Sequence, residues 1–298
     1  MAERPGRAPR TPHTAEVIRT ERLTPHMQRV VLGGEGLAGL AADTCTDHYV
    51  KLLFPPPGAA YPEPFDLQRI REELPREQWP VTRTYTVRQW DAGHRELTLD
   101  FVVHGDEGLA GPWAAHARPG EVVRFLGPGG AYAPDPAADW HLLVGDESAL
   151  PAIARSLEAL PHGARAFAFV EVSGPEEEQK IDSDVEVRWL HRGGRRVGEA
   201  LVEAVRGLDF PEGRVHAFVH GEAHFVKELR RLLRVERGVP REDLSISGYW
   251  RLGHNEDGWQ ASKRDWNARI EAEQEGTAAP ARPGPRAVLR PSWGAPSG

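Results

Sequence analysis

The sequence predicts a β plus α/β protein, with an N-terminal six-stranded antiparallel β-barrel followed by an open parallel-sheet domain. Three observations carry this. The chain has 298 residues, enough for about two domains. From Ala15 to Leu126 short β-rich runs dominate. From Trp140 onward apolar strands alternate with helical segments.

Residues 1–13, rich in Arg and Pro, read as a flexible arm; they carry charge but no apolar segment, so they are not a secretory signal. The runs AEVIRTE, QRVVL, HYVKLLF, TRTYTVRQW, ELTLDFVVH and EVVRFL read as strands bounded by turn residues. Residues 55–80 are punctuated by proline and read as loop-like or disordered, with one short helical patch over Leu67–Leu74. Six strands with so little helix suggest a small antiparallel barrel, residues 14–132.

The second domain, 133–276, starts with strand HLLVGD, helix SALPAIARSLEAL and strand AFAFVEV. Strand VEVRWLH, helix VGEALVEAV, strand VHAFVHG, the amphipathic helix EAHFVKELRRLLRVERG, strand LSISGYW and a helix from Trp259 to Glu275 complete it. Near-continuously apolar strands between helices imply a parallel sheet covered on both faces. Ligands of such sheets bind at the carboxyl ends of the strands. Residues 277–298, rich in Pro, Gly and Ala, read as a disordered tail.

Composition excludes several chemistries. The single cysteine, Cys45, permits neither an internal disulfide nor an iron–sulfur cluster. Thirteen histidines show no HExxH or HxH spacing, so no metal site is expected. A net charge of -7 argues against general nucleic-acid binding. No run of about 18 apolar residues is present, so no membrane insertion is expected. We expect a monomer acting in the cytoplasm.

Two local patterns suit a dinucleotide. In Arg83-Thr84-Tyr85-Thr86-Val87-Arg88, strand alternation sends Arg83 and Tyr85 to one face, a planar fork for phosphate beside a flat ring surface. Thr86 adds a hydroxyl. Beyond DFVVHG, Gly108 and Gly111 permit close backbone approach, and Pro112 suits a first helical turn whose amides can hold a pyrophosphate. Taken singly, each pattern also reads as ordinary structure: a half-exposed edge strand and a Gly-Pro turn.

In order, RTYTVR, DFVVHG, GLAGPW, GDESALPAI, HGEA and GYWRLGHNED resemble the signature series of siderophore-interacting proteins, from about Ala15 to Asp257. These are FAD-dependent ferric-siderophore reductases of the ferredoxin–NADP reductase superfamily. The resemblance implies that Arg83, Thr84, Tyr85, Thr86, Asp100, Val102, His104, Tyr249 and Trp250 line an FAD site. It places Gly108, Ala110, Gly111, Pro112 and Trp113 at the pyrophosphate.

It further implies that NADPH or NADH meets the turn Gly145-Asp146-Glu147-Ser148 with Pro151, and Gly221-Glu222. That turn is not GxGxxG, and its acids would repel a phosphate set directly on them. The cluster Arg192, Arg195, Arg196 can accept a 2′-phosphate or be a solvated basic turn. Glu222 can cap a helix. Ferredoxin is an alternative donor. For a bulky, often anionic ferric siderophore, Arg251 and Lys51 are the expected cations. Relatives carry a further basic residue where this chain has Gly127–Gly130, leaving Arg88 or His254 to substitute. No catalytic acid or base and no protein ligand to iron is expected. The alternatives are a flavin-bearing siderophore carrier without turnover, or another flavin reductase on the same fold.

Overall fold

The computed structural model describes residues 11–106 and 108–275. The expected arm up to residue 10 and the tail 277–298 lie outside them. β1 (His13–Thr24) opens at the last residue of that arm. β2 (Met27–Gly33), β3 (Tyr49–Phe54), β4 (Val81–Asp91), β5 (Glu96–Val102) and β6 (Val122–Gly129) follow. They close an antiparallel barrel in the order β1-β2-β5-β4-β3-β6. Alternating residues such as Leu32, Leu52, Val87, Leu97, Leu99, Phe101 and Phe125 are fully buried inside it. The short helix α2 (Ala110–His116) lays Ala110 and Ala114 on that core.

The proline-punctuated stretch after β3 is ordered, against the loop-like expectation. Helix α1 (Leu67–Glu73) is capped by Asp66, which accepts from the amides of Gln68 and Arg69. Further on, Trp79 Nε1 donates to Leu74 O at 3.0 Å and Tyr61 to Gln78 O at 2.8 Å. Side-chain bonds to backbone carbonyls supply order that the proline content hides.

The second domain contains β7 (Trp140–Asp146), α3 (Leu150–Ala159), β8 (Ala166–Val172), β9 (Val187–His191), α4 (Glu199–Arg206), β10 (Val215–Glu222), α5 (Ala223–Arg231) and β11 (Leu244–Trp250). Its five strands are parallel in the order β11-β10-β7-β8-β9. The order reverses between β7 and β10, and the carboxyl ends at that switch point form the crevice where such sheets take ligands. α5 continues into a π-turn over Leu232–Glu236 rather than as one α-helix, with Leu232 and Leu233 both buried.

Both sheet faces are covered, but not by helices alone. Leu201 and Val205 of α4 and Phe225 and Leu229 of α5 pack on one face. On the other, Leu150, Ile153 and Leu157 of α3 share their cluster with Met27 and Tyr132 of the barrel side. The barrel is itself part of the sheet's second cover. Polar fastenings cross the same interface. Glu177, 3% exposed, accepts from the Thr24 hydroxyl, the His26 amide at 3.2 Å and His26 Nδ1 at 2.6 Å. Arg88 pairs with Glu158 at 2.8 and 2.5 Å, and Arg155 donates to the carbonyls of Ala42 and Val87.

The last helix, α6 (Glu256–Glu275), begins three residues earlier than expected. It covers the edge strand β11 with Trp259 and Ile270 buried. Gly248 makes this possible: a Cβ there would lie 3.1 Å from Ala223 and 3.1 Å from the Trp259 ring. Among the described residues no helix is long and apolar enough to cross a membrane.

Candidate functional site

The site lies where β4 of the barrel faces the switch point of the sheet, with the start of α6 across it. On β4, Arg83 is held from a distance of 174 residues in sequence. Its Nη1 and Nη2 donate to Asp257 at 2.9 and 3.1 Å, Nη1 also donates to Thr82 O, and Nε lies 3.4 Å from Glu256. The Thr84 amide donates to Glu256 at 3.2 Å. Burial raises the Glu256 pKa above the usual carboxylate range, with Arg83 pulling it back. Tyr85 packs against Phe101, centroids 4.1 Å apart, and burial pushes its phenol pKa up. Thr86 is buried beside the Tyr249 phenol, also pushed up by burial. Tyr249 lies 4.8 Å from the His220 ring. These contacts bring Thr86, Tyr249 and His220 together from both domains.

The resemblance implies FAD, and the donor set fits the group in part. Leu109 at the start of α2 provides no side-chain cap, and among the described residues no side chain accepts from the first-turn amides. Gly108 stands just before it with φ of 84° and nothing within 4 Å of a Cβ position, so the backbone is open there. Gly111 lets α2 sit on the end of β5; a Cβ would lie 3.1 Å from Val102 O. Pro112, half-buried in that first turn, accepts from His116 Nδ1 at 2.8 Å. His104 is exposed on the loop leading there.

Other expected ligands have different work. Both Asp100 oxygens accept from Arg29, at 2.7 and 2.8 Å, so its carboxylate closes a buried pair instead of facing a cofactor. Trp113 turns inward, edge-on to Phe54 and Phe101 at 5.5 Å each. Val102 packs at the domain interface and Ala110 in the barrel core.

At the switch point the sheet edge is acidic and dense. Asp146 is fully buried; it accepts from the Ser148 amide and hydroxyl, the Glu222 amide and Trp250 Nε1, the last at 2.8 Å. Burial outweighs these donors and raises its pKa. Gly145 is walled in, since a Cβ would meet Ala149 Cβ at 2.5 Å and His220 O at 2.7 Å. Gly221, with φ of 138°, abuts Asp146 in the same way. Pro151 is buried in the first turn of α3. Glu222 caps α5 by accepting from the His224 amide at 2.7 Å and also accepts from the Leu252 amide.

The expected phosphate-binding arginines are engaged elsewhere. Arg192 donates to both Glu147 oxygens at 2.9 and 2.7 Å and to Glu171 at 3.0 Å. Arg195 pairs on the surface with Glu199 and Glu203. Neither guanidinium is the open cation that the basic turn suggested; Arg196 alone of the three is exposed without an ion pair among the described residues.

The cations at the mouth differ. Lys51 is exposed on β3, and Arg251 follows β11. Burial, then the charge of Lys51, lowers the pKa of Lys263 on α6. Its charge also acts on His220, whose pKa burial takes down to about 3. Lys263 therefore stands near both. Lys51, Arg251 and Lys263 make no ion pair among the described residues, whereas Arg88, an expected substitute, is taken by Glu158. Lys263 was missed in the sequence. Its signal was there: Trp259, Lys263, Trp266 and Ile270 recur at helical spacing and share one face.

Two family descriptions match the chain: a siderophore-interacting FAD-binding domain over residues 16–132 and siderophore-interacting protein over residues 138–253. An uncharacterised protein of Mycobacterium tuberculosis is 47% identical, covering 89% of this chain and 98% of its own. The ferric vibriobactin reductase ViuB of Vibrio cholerae is 34% identical over 85% of this chain and 94% of its own. The NADPH-dependent ferric-chelate reductase of Escherichia coli is 31% identical over 78% and 91%. A siderophore utilization protein from T. fusca has a solved structure with a TM-score of 0.71 and 42% identity, covering 83% of this chain and 95% of that one. The ferredoxin reductase of carbazole 1,9a-dioxygenase, 19% identical with a TM-score of 0.58 over 81% of this chain and 70% of that one, shares the fold.

Proposed function

The chain belongs to the siderophore-interacting protein family, and on that premise we propose that it is an FAD-dependent reductase of ferric siderophores in the cytoplasm. The observation that carries the proposal is the mouth itself. Lys51 and Lys263 lie within electrostatic reach of each other, and Arg251 follows Tyr249 and Trp250 at the end of β11; none of the three makes an ion pair among the described residues. The ferric-reductase relatives support the same reading.

The chain's residues divide the work. The α2 amides and Arg83 would hold the pyrophosphate, Arg83 by releasing or sharing Asp257, while Tyr85, Thr86 and Tyr249 would shape the ring pocket. Bound FAD supplies acceptance of electron pairs and their delivery one at a time. The three cations would dock an anionic ferric chelate at the flavin edge. Iron is substrate and needs no protein ligand; Fe(II) leaves its hard-oxygen shell more readily than Fe(III).

For the donor, NADPH or NADH is favoured by the name of the Escherichia coli relative. A protein donor of ferredoxin type is the second reading. It is favoured by the pairing of Arg192 and Arg195 with carboxylates, which leaves neither of these expected guanidiniums open to a nicotinamide-nucleotide phosphate. The test is steady-state release of Fe(II) from a ferric siderophore, trapped by a ferrous chelator, with NADPH, NADH or reduced ferredoxin supplied in turn. Turnover with any donor supports the reductase. Binding of siderophore without turnover under every donor would make the protein a carrier.

A further inference from the structure

Resting on the reductase reading, we propose that Trp266 is a positioning residue for the substrate, holding Arg251 so that its Nη N–H groups are free for an anionic ferric chelate. The Arg251 guanidinium carbon lies 4.0 Å from the centroid of the Trp266 ring, nearer than in any other cation–ring contact among the described residues. The Arg251 side chain makes no hydrogen bond or ion pair to the described residues, and its Nε is sealed from solvent without an acceptor. Most of the neighbouring charge is already matched. Glu222 serves the His224 and Leu252 amides, while Glu256 and Asp257 hold Arg83. The fold therefore gives this arginine an aromatic face where it gives Arg83 and Arg192 carboxylates.

That choice has a chemical consequence. A carboxylate binds a guanidinium in its plane, through the same N–H groups that a substrate oxyanion would use. An indole attracts the cation through its face. It fixes the plane of the guanidinium and leaves the in-plane donors unspent and the charge unneutralised. Trp266 is in turn held edge-on by Trp259 at 6.1 Å and His224 at 5.6 Å, so the platform does not swing freely. Because α6 also brings Lys263 toward Lys51, one helix face sets two cations of the mouth. The class of substrate this suits is a ferric chelate of net negative charge, such as a ferric tris-catecholate, over a ferric trihydroxamate of net positive charge.

The experiment is a steady-state comparison of wild type, Trp266→Phe, Trp266→Leu, Arg251→Gln and the Trp266→Leu/Arg251→Gln pair on both chelates, with FAD affinity and Tm recorded for each. We expect Trp266→Leu to raise KM for the catecholate about tenfold. Its kcat should stay within about twofold, and KM for the cationic hydroxamate should not move. Trp266→Phe, which keeps a ring face, should retain most of the affinity. The double variant should be no worse than Arg251→Gln alone. The proposal is overturned if Trp266→Leu changes both chelates alike, if it lowers kcat with KM unchanged, or if the paired substitutions add. Should Trp266→Leu fail to fold, a wild-type KM in Trp266→Phe still supports the platform, and a KM there as high as that of Arg251→Gln sinks it. If wild type reduces neither chelate, the reductase reading falls and this inference with it; if it reduces both and Trp266 is indifferent, only this inference falls.

Discussion

At the scale of single residues, two side chains give sharp expectations. Arg83 carries a carboxylate on each of its bidentate edges, Asp257 on one and Glu256 beside the other. A flavin pyrophosphate must share or displace them. We predict that Asp257→Asn tightens FAD binding by about two- to fivefold, since the Asp257 carboxylate is largely exposed and removing its screened charge is worth about 0.5–1 kcal/mol. Arg83→Gln should weaken FAD binding by at least that factor; flavin fluorescence titration reads both. His220 gives a pH effect. Its pKa of about 3, set by burial, lies below the unfolded value of 6.5. As pH falls through 6.5 the unfolded chain takes the proton and the folded one does not, so stability is lost progressively between pH 6.5 and about 3. Buried His141 and half-buried His216 are shifted the same way, while the raised Asp146 and Glu147 act oppositely in the carboxylate range. His220→Gln should flatten the fall of Tm across the upper part of that window; an unchanged slope would place the acid sensitivity elsewhere.

At the scale of elements, α6 decides the geometry of the mouth. It reaches β4 through its first turn, β11 through Trp259 and Arg251 through Trp266. Gly248→Ala puts a methyl against the Trp259 ring and the Ala223 Cα, each 3.1 Å away. We predict a loss of about 1–3 kcal/mol in urea unfolding, accompanied by a higher KM for anionic chelates as α6 shifts. Little of this was legible in the sequence. The strands were, because β-branched runs and apolar blocks declare their period over a few residues. The start of α6 was not, since His254-Asn255-Glu256-Asp257 reads as a polar loop until its partners, Arg83 and Thr84, are known. The basic turn at Arg192 misled for the same reason, its neutralising Glu147 and Glu171 being 45 and 21 residues back.

At the scale of the whole molecule, function depends on how the barrel is clamped to the sheet. Order along the chain was enough to foresee a barrel followed by a parallel sheet. That the barrel covers one sheet face, beside α3, was not, because packing between domains leaves no periodic trace. The clamp has a buried carboxylate at its centre. We predict that Glu177→Ala, which strands the Thr24 hydroxyl and the His26 amide, costs about 1–3 kcal/mol and speeds proteolytic cutting between the domains. Charge at the mouth should also show globally, as a KM for anionic chelates that rises with ionic strength.

The central claim is that a flavin seated on β4 hands electrons to a ferric chelate held by the cations of β3, β11 and α6. It is tested without any assumption about the natural donor by reducing the bound flavin photochemically under anaerobic conditions. A ferric siderophore is then added while the flavin absorbance and trapped Fe(II) are followed together. The account predicts that the oxidised flavin band returns as Fe(II) appears, and that Lys51→Gln/Arg251→Gln slows both. A flavin that stays reduced beside the ferric chelate, or one that reoxidises without Fe(II), would contradict it.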